Sequence, residues 1–224
     1  MPNGADTALL RPEPPCVALL DRWALHDKKV FVYYGTHAYY HGLGTLIAAA
    51  ARLRHRPDIV FLMVGSGPER ARLEAESARL CLPNVIFGGI RPDEATALHS
   101  IAWAALATLR DVPVARTMRL AKIFPALSCG VPVIHAAHGE GAELLTRNAC
   151  GIVVPPEDPG MLADAIIQLA DDRVLRDLLG RNGRSFVERE YDWRTIVARG
   201  LARIMPQLRD ERFVLSDAVA ESQS

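Results

Sequence analysis

The chain of 224 residues is 50% hydrophobic and 23% charged, and its 26 basic and 26 acidic side chains leave no formal net charge. That balance describes a globular chain of one domain with a sizeable core, and it excludes a general nucleic-acid binder, which would carry a basic footprint. Its four cysteines, Cys16, Cys81, Cys129 and Cys150, lack C-x-x-C or His-paired spacing, so neither a metal site nor a disulfide framework is expected.

Taken in chain order, residues 1–28 are rich in Pro and Gly and read as a linker or hinge, apart from a helix-like stretch near 17–25. From Lys29 onward, short β-branched or aromatic runs alternate with longer helical ones. Strands are predicted at 30–34, 59–64, 85–87, 104–108, 131–135 and 152–154. Helices are predicted between them at 43–53, 69–80, 93–100, 120–128 and 140–147. This alternation predicts βαβ units and an α/β, Rossmann-like three-layer fold with a parallel sheet covered on both faces.

Pro155-Pro156 and Asp158-Pro159 punctuate the end of the last strand, and a helical tail follows at 161–170, at 174–179 and from 192. In the last of these Trp193, Ile196, Val197, Leu201 and Ile204 share one face, with Arg194, Arg199 and Arg203 elsewhere. Such a helix docks on its own protein with a solvated basic face, or lies on a membrane surface. The domain is expected to span 29–208, with a disordered tail at 209–224. No apolar run reaches the roughly 18 residues of a membrane span, and the opening residues carry no apolar signal segment. The expected location is cytoplasmic, with peripheral contact at the inner face of a membrane left open.

In open parallel sheets, ligands bind where strand ends lead to helix N-termini. The first strand runs into Gly35-Thr36-His37, the second into Gly65-Ser66-Gly67-Pro68, and the third into Gly88-Gly89-Ile90-Arg91-Pro92. The fifth runs into Ala136-Ala137-His138-Gly139-Glu140-Gly141. Small residues let a ligand approach the backbone, and helix starts offer N–H groups to an anion. Each loop alone is equally an ordinary turn. Together, along one edge of the sheet, they point to a phosphorylated ligand. Arg70 stands where the third glycine of a dinucleotide fingerprint would be, and no Walker-type loop is present.

The motifs fall in a telling order: Pro2-Asn3-Gly4-Ala5-Asp6, Tyr34-Gly35-Thr36, His41-Gly42-Leu43, and Phe61-Leu62-Met63-Val64-Gly65-Ser66-Gly67-Pro68. Then come Asn84-Val85-Ile86-Phe87-Gly88, Ala121-Lys122-Ile123-Phe124-Pro125-Ala126-Leu127-Ser128-Cys129-Gly130-Val131-Pro132-Val133, Gly151-Ile152-Val153-Val154-Pro155-Pro156 and Tyr191-Asp192-Trp193. The order resembles the C-terminal, donor-binding domain of GT-B glycosyltransferases of the sucrose-synthase/mannosyltransferase-like group, over residues 1–205. The resemblance implies a nucleotide-diphosphate-sugar donor, glycosyl transfer with retention of anomeric configuration, and no metal or other cofactor. The stretch matching Pro2–Asp6 is the family's hinge between domains, so the acceptor domain is expected to be supplied separately, or the chain to self-associate.

By the same resemblance, Gly89, Ile90 and Arg91 match the nucleobase pocket. Gly35 and Thr36, with the helix start at Arg119, Leu120 and Ala121, match the diphosphate cradle, and Gly65 and Gly67 are donor-binding candidates from the strand-end glycines. Lys122 is the first candidate for the cation that steadies the leaving diphosphate, and Arg119 the second; the plain alternative for each is a surface charge. The departures are also specific. Thr36 and His41 stand where the family carries Arg and Lys, and His41 is read as a partial replacement for the lysine or as an ordinary loop histidine. Thr117 and Pro125 stand where it carries two glutamates, which leaves Glu140 or Glu143 to meet a ribose hydroxyl, or Glu140 to serve only as a helix-start charge. Three readings follow: a transferase domain, a degenerate interaction or nucleotide-binding module, and half of a sugar-nucleotide epimerase.

Overall fold

The computed structural model describes residues 3–118 and 121–204. Its sheet is built from β1 (Lys29–Tyr34), β2 (Ile59–Val64), β3 (Val85–Gly88), β4 (Ala102–Thr108), β5 (Val133–Ala136) and β6 (Gly151–Val154). The order is β3-β2-β1-β4-β5-β6, and every pairing is parallel. The chain thus starts mid-sheet, winds to one edge, then crosses back and winds to the other. The reversal falls between β1 and β4, the place at which open parallel sheets take ligands at their carboxyl edge.

Both faces are covered, so the strand interiors are mainly apolar and their alternation divides residues between two cores. Val30, Val32, Leu62 and Val64 face a layer containing Leu19, Phe124, Leu127 and Val187. Phe31, Tyr33, Phe61 and Met63 face the opposite layer, which contains Leu46, Ile47, Leu73, Leu162 and Ile166. The α-helices among the described residues are α1 (Val17–Trp23), α2 (Gly44–Arg52), α3 (Arg70–Arg79), α4 (Ala95–Ser100), α5 (Ile123–Ser128), α6 (Glu140–Arg147), α7 (Pro159–Asp171), α8 (Arg173–Glu190) and α9 (Trp193–Ile204).

Three expected boundaries move, each for a local reason. The helix predicted at 93–100 divides into a one-turn 3-10 helix, Pro92–Glu94, and α4, because the Glu94 carboxylate turns back to accept from the Arg91 N–H at 2.8 Å. The strand predicted from 131 starts at Val133: Pro132 has no N–H, and the Val131 N–H closes the turn after α5 on Ala126. The helix predicted at 174–179 continues as α8 to Glu190. A β-carbon on Gly180 would strike the Gly130 carbonyl, and one on Gly183 would lie 2.6 Å from Leu127, so both permit close packing of α8.

The segment read as a lead-in linker is laid on the domain where it is described. Ala5 bridges to Asp192, and Thr7 donates to the Asp192 carboxylate from its N–H at 3.1 Å and its hydroxyl at 2.6 Å. Arg184 on α8 donates to the carbonyls of Leu10 (2.8 Å), Thr7 (3.1 Å) and Ser128 (2.7 Å). Among the described residues no helix is long and apolar enough to cross a membrane. The tail predicted at 209–224 lies outside the described residues.

Candidate functional site

The loops after β1 and β2 are knitted into one floor at the carboxyl edge. Gly35 N–H donates to Val64, His37 N–H to Ser66 at 2.7 Å, and Glu69 N–H to the His37 carbonyl at 2.9 Å. Gly35, Gly65 and Gly67 have φ of +148°, +139° and +147°, where L side chains are strained. A β-carbon on Gly65 would collide with the Gly35 carbonyl, and one on Gly67 would stand 2.5 Å from the His37 carbonyl. Arg70 ties the floor to β3 by donating to the carbonyls of Gly65 (2.5 Å) and Gly88 (3.1 Å). The residue that broke the glycine fingerprint is therefore part of the scaffold.

Lys122 enters this floor from across the sheet reversal. It precedes α5, and its Nζ donates to the Tyr33 hydroxyl at 2.8 Å while lying 4.1 Å from the centroid of the same ring. The Tyr33 hydroxyl donates in turn to the Thr36 carbonyl at 2.6 Å. Burial lowers the Lys122 ammonium pKa to about 7, because the low-dielectric surroundings disfavour the charged form. Burial raises the Tyr33 phenol, which stays protonated.

His41 sits beside this group, its ring centroid 6.2 Å from that of Tyr33 and 4.5 Å from that of Tyr40. Its carbonyl accepts from the Thr108 hydroxyl at the end of β4. The expectation that it replaces a lysine is altered by this setting. The ring is buried, and burial, with Lys122 and His37 adding repulsion, pushes its pKa to about 4. His41 therefore stands neutral at neutral pH. His37, fully buried between Tyr33 and Phe87, is lowered by burial first and then by Arg70 and Lys122.

Other predicted positions are more dispersed. Thr36 and Ala121 are exposed at the mouth. Gly89 is exposed with open space around it, Ile90 packs on the core, and Arg91 is exposed and paired with Asp93 at 3.0 Å; they follow β3, which is two strands from β1. Glu140 is exposed in the first turn of α6, beyond β5. Thr117 donates its hydroxyl to the Val114 carbonyl at 3.1 Å. Arg119 and Leu120 lie outside the described residues. The helix start predicted there is α5, whose described helical residues begin at Ile123. Among the described residues no group of three or more His, Cys, Asp or Glu is placed to hold a metal ion.

Tyr33 and His37 join the site although neither stands at a position that the motifs single out. The available signal was position: Tyr33 alternates with Phe31 on one face and stands two residues before the glycine that opens the floor.

The architecture and the glycine-floored crevice at its strand reversal define a Rossmann-like α/β domain suited to a phosphorylated ligand. Residues 28–172 match the family model described as glycosyl transferases group 1, and the chain belongs to that family. It is 30% identical over 205 residues to a GDP-mannose-dependent alpha-(1-6)-phosphatidylinositol monomannoside mannosyltransferase of Mycobacterium tuberculosis, covering 89% of this chain and 53% of the relative. The chain thus spans about half the length of the curated relatives it matches. Among solved structures it resembles sucrose-phosphate synthase from Thermosynechococcus elongatus, with 28% identity, a TM-score of 0.72, and coverage of 92% of this chain and 51% of that one. It also shares the fold of Anabaena HepE, solved with UDP and glucose, at 23% identity and a TM-score of 0.78, over 90% of this chain and 55% of that one. These neighbours are GT-B glycosyltransferases, and the sheet has the layout of one half of that architecture.

Proposed function

We propose that this chain is the donor-binding half of a glycosyltransferase, holding a nucleotide-diphosphate sugar in the crevice between β1 and β4. The observation that carries the reading is the buried Lys122 amine beside Gly35, at the strand reversal and next to a backbone floor without side chains. A diphosphate entering there meets a cation in a low-dielectric pocket, where its charge is worth more than in water. Departure of the nucleoside diphosphate then needs fixed donors and one cation, and a metal ion is not part of the proposal. The acceptor belongs to another domain or polypeptide, and the site of action is cytoplasmic, with peripheral membrane contact.

Isothermal titration against UDP-, GDP- and dTDP-sugars tests this. The name of the mycobacterial relative makes GDP-mannose the first ligand to try. Saturable binding to one donor, insensitive to chelator and weakened at least tenfold by Lys122→Ala, is the expected result. No binding across the panel would remove the reading. A second reading, a nucleotide-binding module without transfer, is favoured by Thr117 and Pro125, which place no carboxylate at the family's two acidic positions. Binding without turnover, in the presence of a matching acceptor domain, would select it.

A further inference from the structure

Tyr33 is the pivot of a three-part hydrogen-bonded chain that no part of the donor reading requires. Its side chain is fully buried, between the rings of His37 (5.7 Å) and His41 (6.2 Å). The hydroxyl accepts from Lys122 Nζ at 2.8 Å and donates to the Thr36 carbonyl at 2.6 Å. One oxygen thus joins a side chain that arrives after β4 to the backbone of the loop after β1. A phenylalanine would pack as well and do neither.

The surroundings explain why the amine needs such a hold. The ionisable groups of this cluster are Tyr33 on β1, His37 and His41 in the loop after it, and His135 on β5, whose ring is lowered by burial and then by Lys122; Tyr40 acts on Tyr33, and Arg70 and Glu74 act on His37. Among the described residues no carboxylate acts on Lys122, and no acceptor other than the Tyr33 hydroxyl is bonded to its Nζ. A four-carbon side chain without a counter-ion has many rotamers of similar energy. The phenol selects one of them.

We propose that Tyr33 is a positioning residue: its hydroxyl fixes the Lys122 amine beside Gly35 and locks it to the Thr36 backbone, so that amine and loop present one preformed site to a phosphate anion. The anion part rests on the donor-binding reading; the placement of the amine does not. A hydrogen bond to a charged group contributes more than one between neutral groups, so the phenol also favours the protonated amine.

Lys28, Lys29 and Lys122 are the lysines of this chain, so a carbon-13 lysine Cε titration by NMR resolves Lys122 once Lys122→Ala assigns it. In Tyr33→Phe the Lys122 midpoint should fall below that of wild type by about one pH unit, the size expected for loss of one hydrogen bond to an ammonium. UDP or GDP, whichever the wild type binds, should bind Tyr33→Phe about tenfold more weakly at pH 8, and the double variant with Lys122→Ala no more weakly than Lys122→Ala alone. A midpoint shift with neither nucleotide bound by wild type would support the positioning role and refute the anion site. An unshifted midpoint in folded Tyr33→Phe would overturn the proposal and leave Tyr33 as packing.

Discussion

Lys122 Nζ stands 3.1 Å from the place a β-carbon on Gly35 would occupy, and its Cε stands 3.2 Å away. The two residues are 87 positions apart in sequence, 122 less 35, and belong to loops on opposite sides of the strand reversal. Each makes room for the other. Gly35 adopts a φ of +148° that disfavours a side chain, and the space so left is filled by the end of the lysine.

Gly35→Ala should therefore damage binding more than stability. The intruding methyl meets the flexible end of a side chain, which can swing away, so the fold bears mainly the backbone strain, about 1–3 kcal/mol. The displaced amine no longer faces the crevice. Titration with the donor that wild type binds should show at least a tenfold loss, alongside a modest drop in urea midpoint. Unchanged affinity would separate Lys122 from the ligand.

The glycines of the carboxyl edge should also rank by what opposes them. A β-carbon on Gly65 collides with the Gly35 carbonyl, which is backbone and cannot rotate aside; on Gly35 it meets a side chain; on Gly89 it meets nothing within 4 Å. Urea unfolding should rank the alanine variants Gly65→Ala, Gly35→Ala, Gly89→Ala from most to least destabilised. Gly89→Ala equal to Gly65→Ala would mean the loops are soft enough to absorb either.

Acid should unfold the protein through its buried histidines. Burial lowers His41 and His99 to about 4 and lowers His37 and His135 as well. The unfolded chain takes up these protons near pH 6.5, before the native state can, so stability is full above that value and falls as pH drops toward about 4. The loss for the set is on the order of several kcal/mol. His99, with both ring nitrogens unbonded among the described residues and its ring edge-on to Tyr34, is the cleanest probe. Melting temperatures followed from pH 7 to 4.5 should decline less steeply in His99→Phe. Parallel curves for the two proteins would refute this account of His99.

The extent to which sequence foretold this site follows from the range of the forces involved. Strands such as β2, with six buried residues in a row, declare themselves locally, and so do loops whose glycines sit at strand ends. The pairing of Tyr33 with Lys122 does not, because it depends on β4 crossing to lie beside β1, a relation without local signature. His41 shows the same limit from the other side: its spacing matched a lysine position, but its charge state is set by Tyr33, Tyr40 and Lys122 closing around it. Arg70 looked like the defect in a glycine motif. Only the folded chain shows its guanidinium holding the Gly65 and Gly88 carbonyls together.

The last helix makes a prediction about assembly. Ile196 is 6% exposed and is the side chain nearest the place a β-carbon on Gly4 would occupy, whereas Trp193, Val197 and Leu201 are 41%, 42% and 47% exposed. At a spacing of four residues those three form one stripe along α9, an apolar surface that the described chain does not cover. Arg199, on another side, donates to the carbonyls of Arg189 and Glu190 at 3.4 Å and so faces its own protein. The chain as it stands should self-associate, with sedimentation velocity showing a weight-average mass that climbs with concentration. Replacing Trp193, Val197 and Leu201 together by Ser should restore the monomer with little change in melting temperature, since none lies in either core. Ile196→Ser, by contrast, should lower the melting temperature, because it removes a buried contact. A wild-type chain that stays monomeric at every concentration would show that the stripe is too small to drive association, and binding of that monomer to anionic vesicles would assign the stripe to a membrane surface instead.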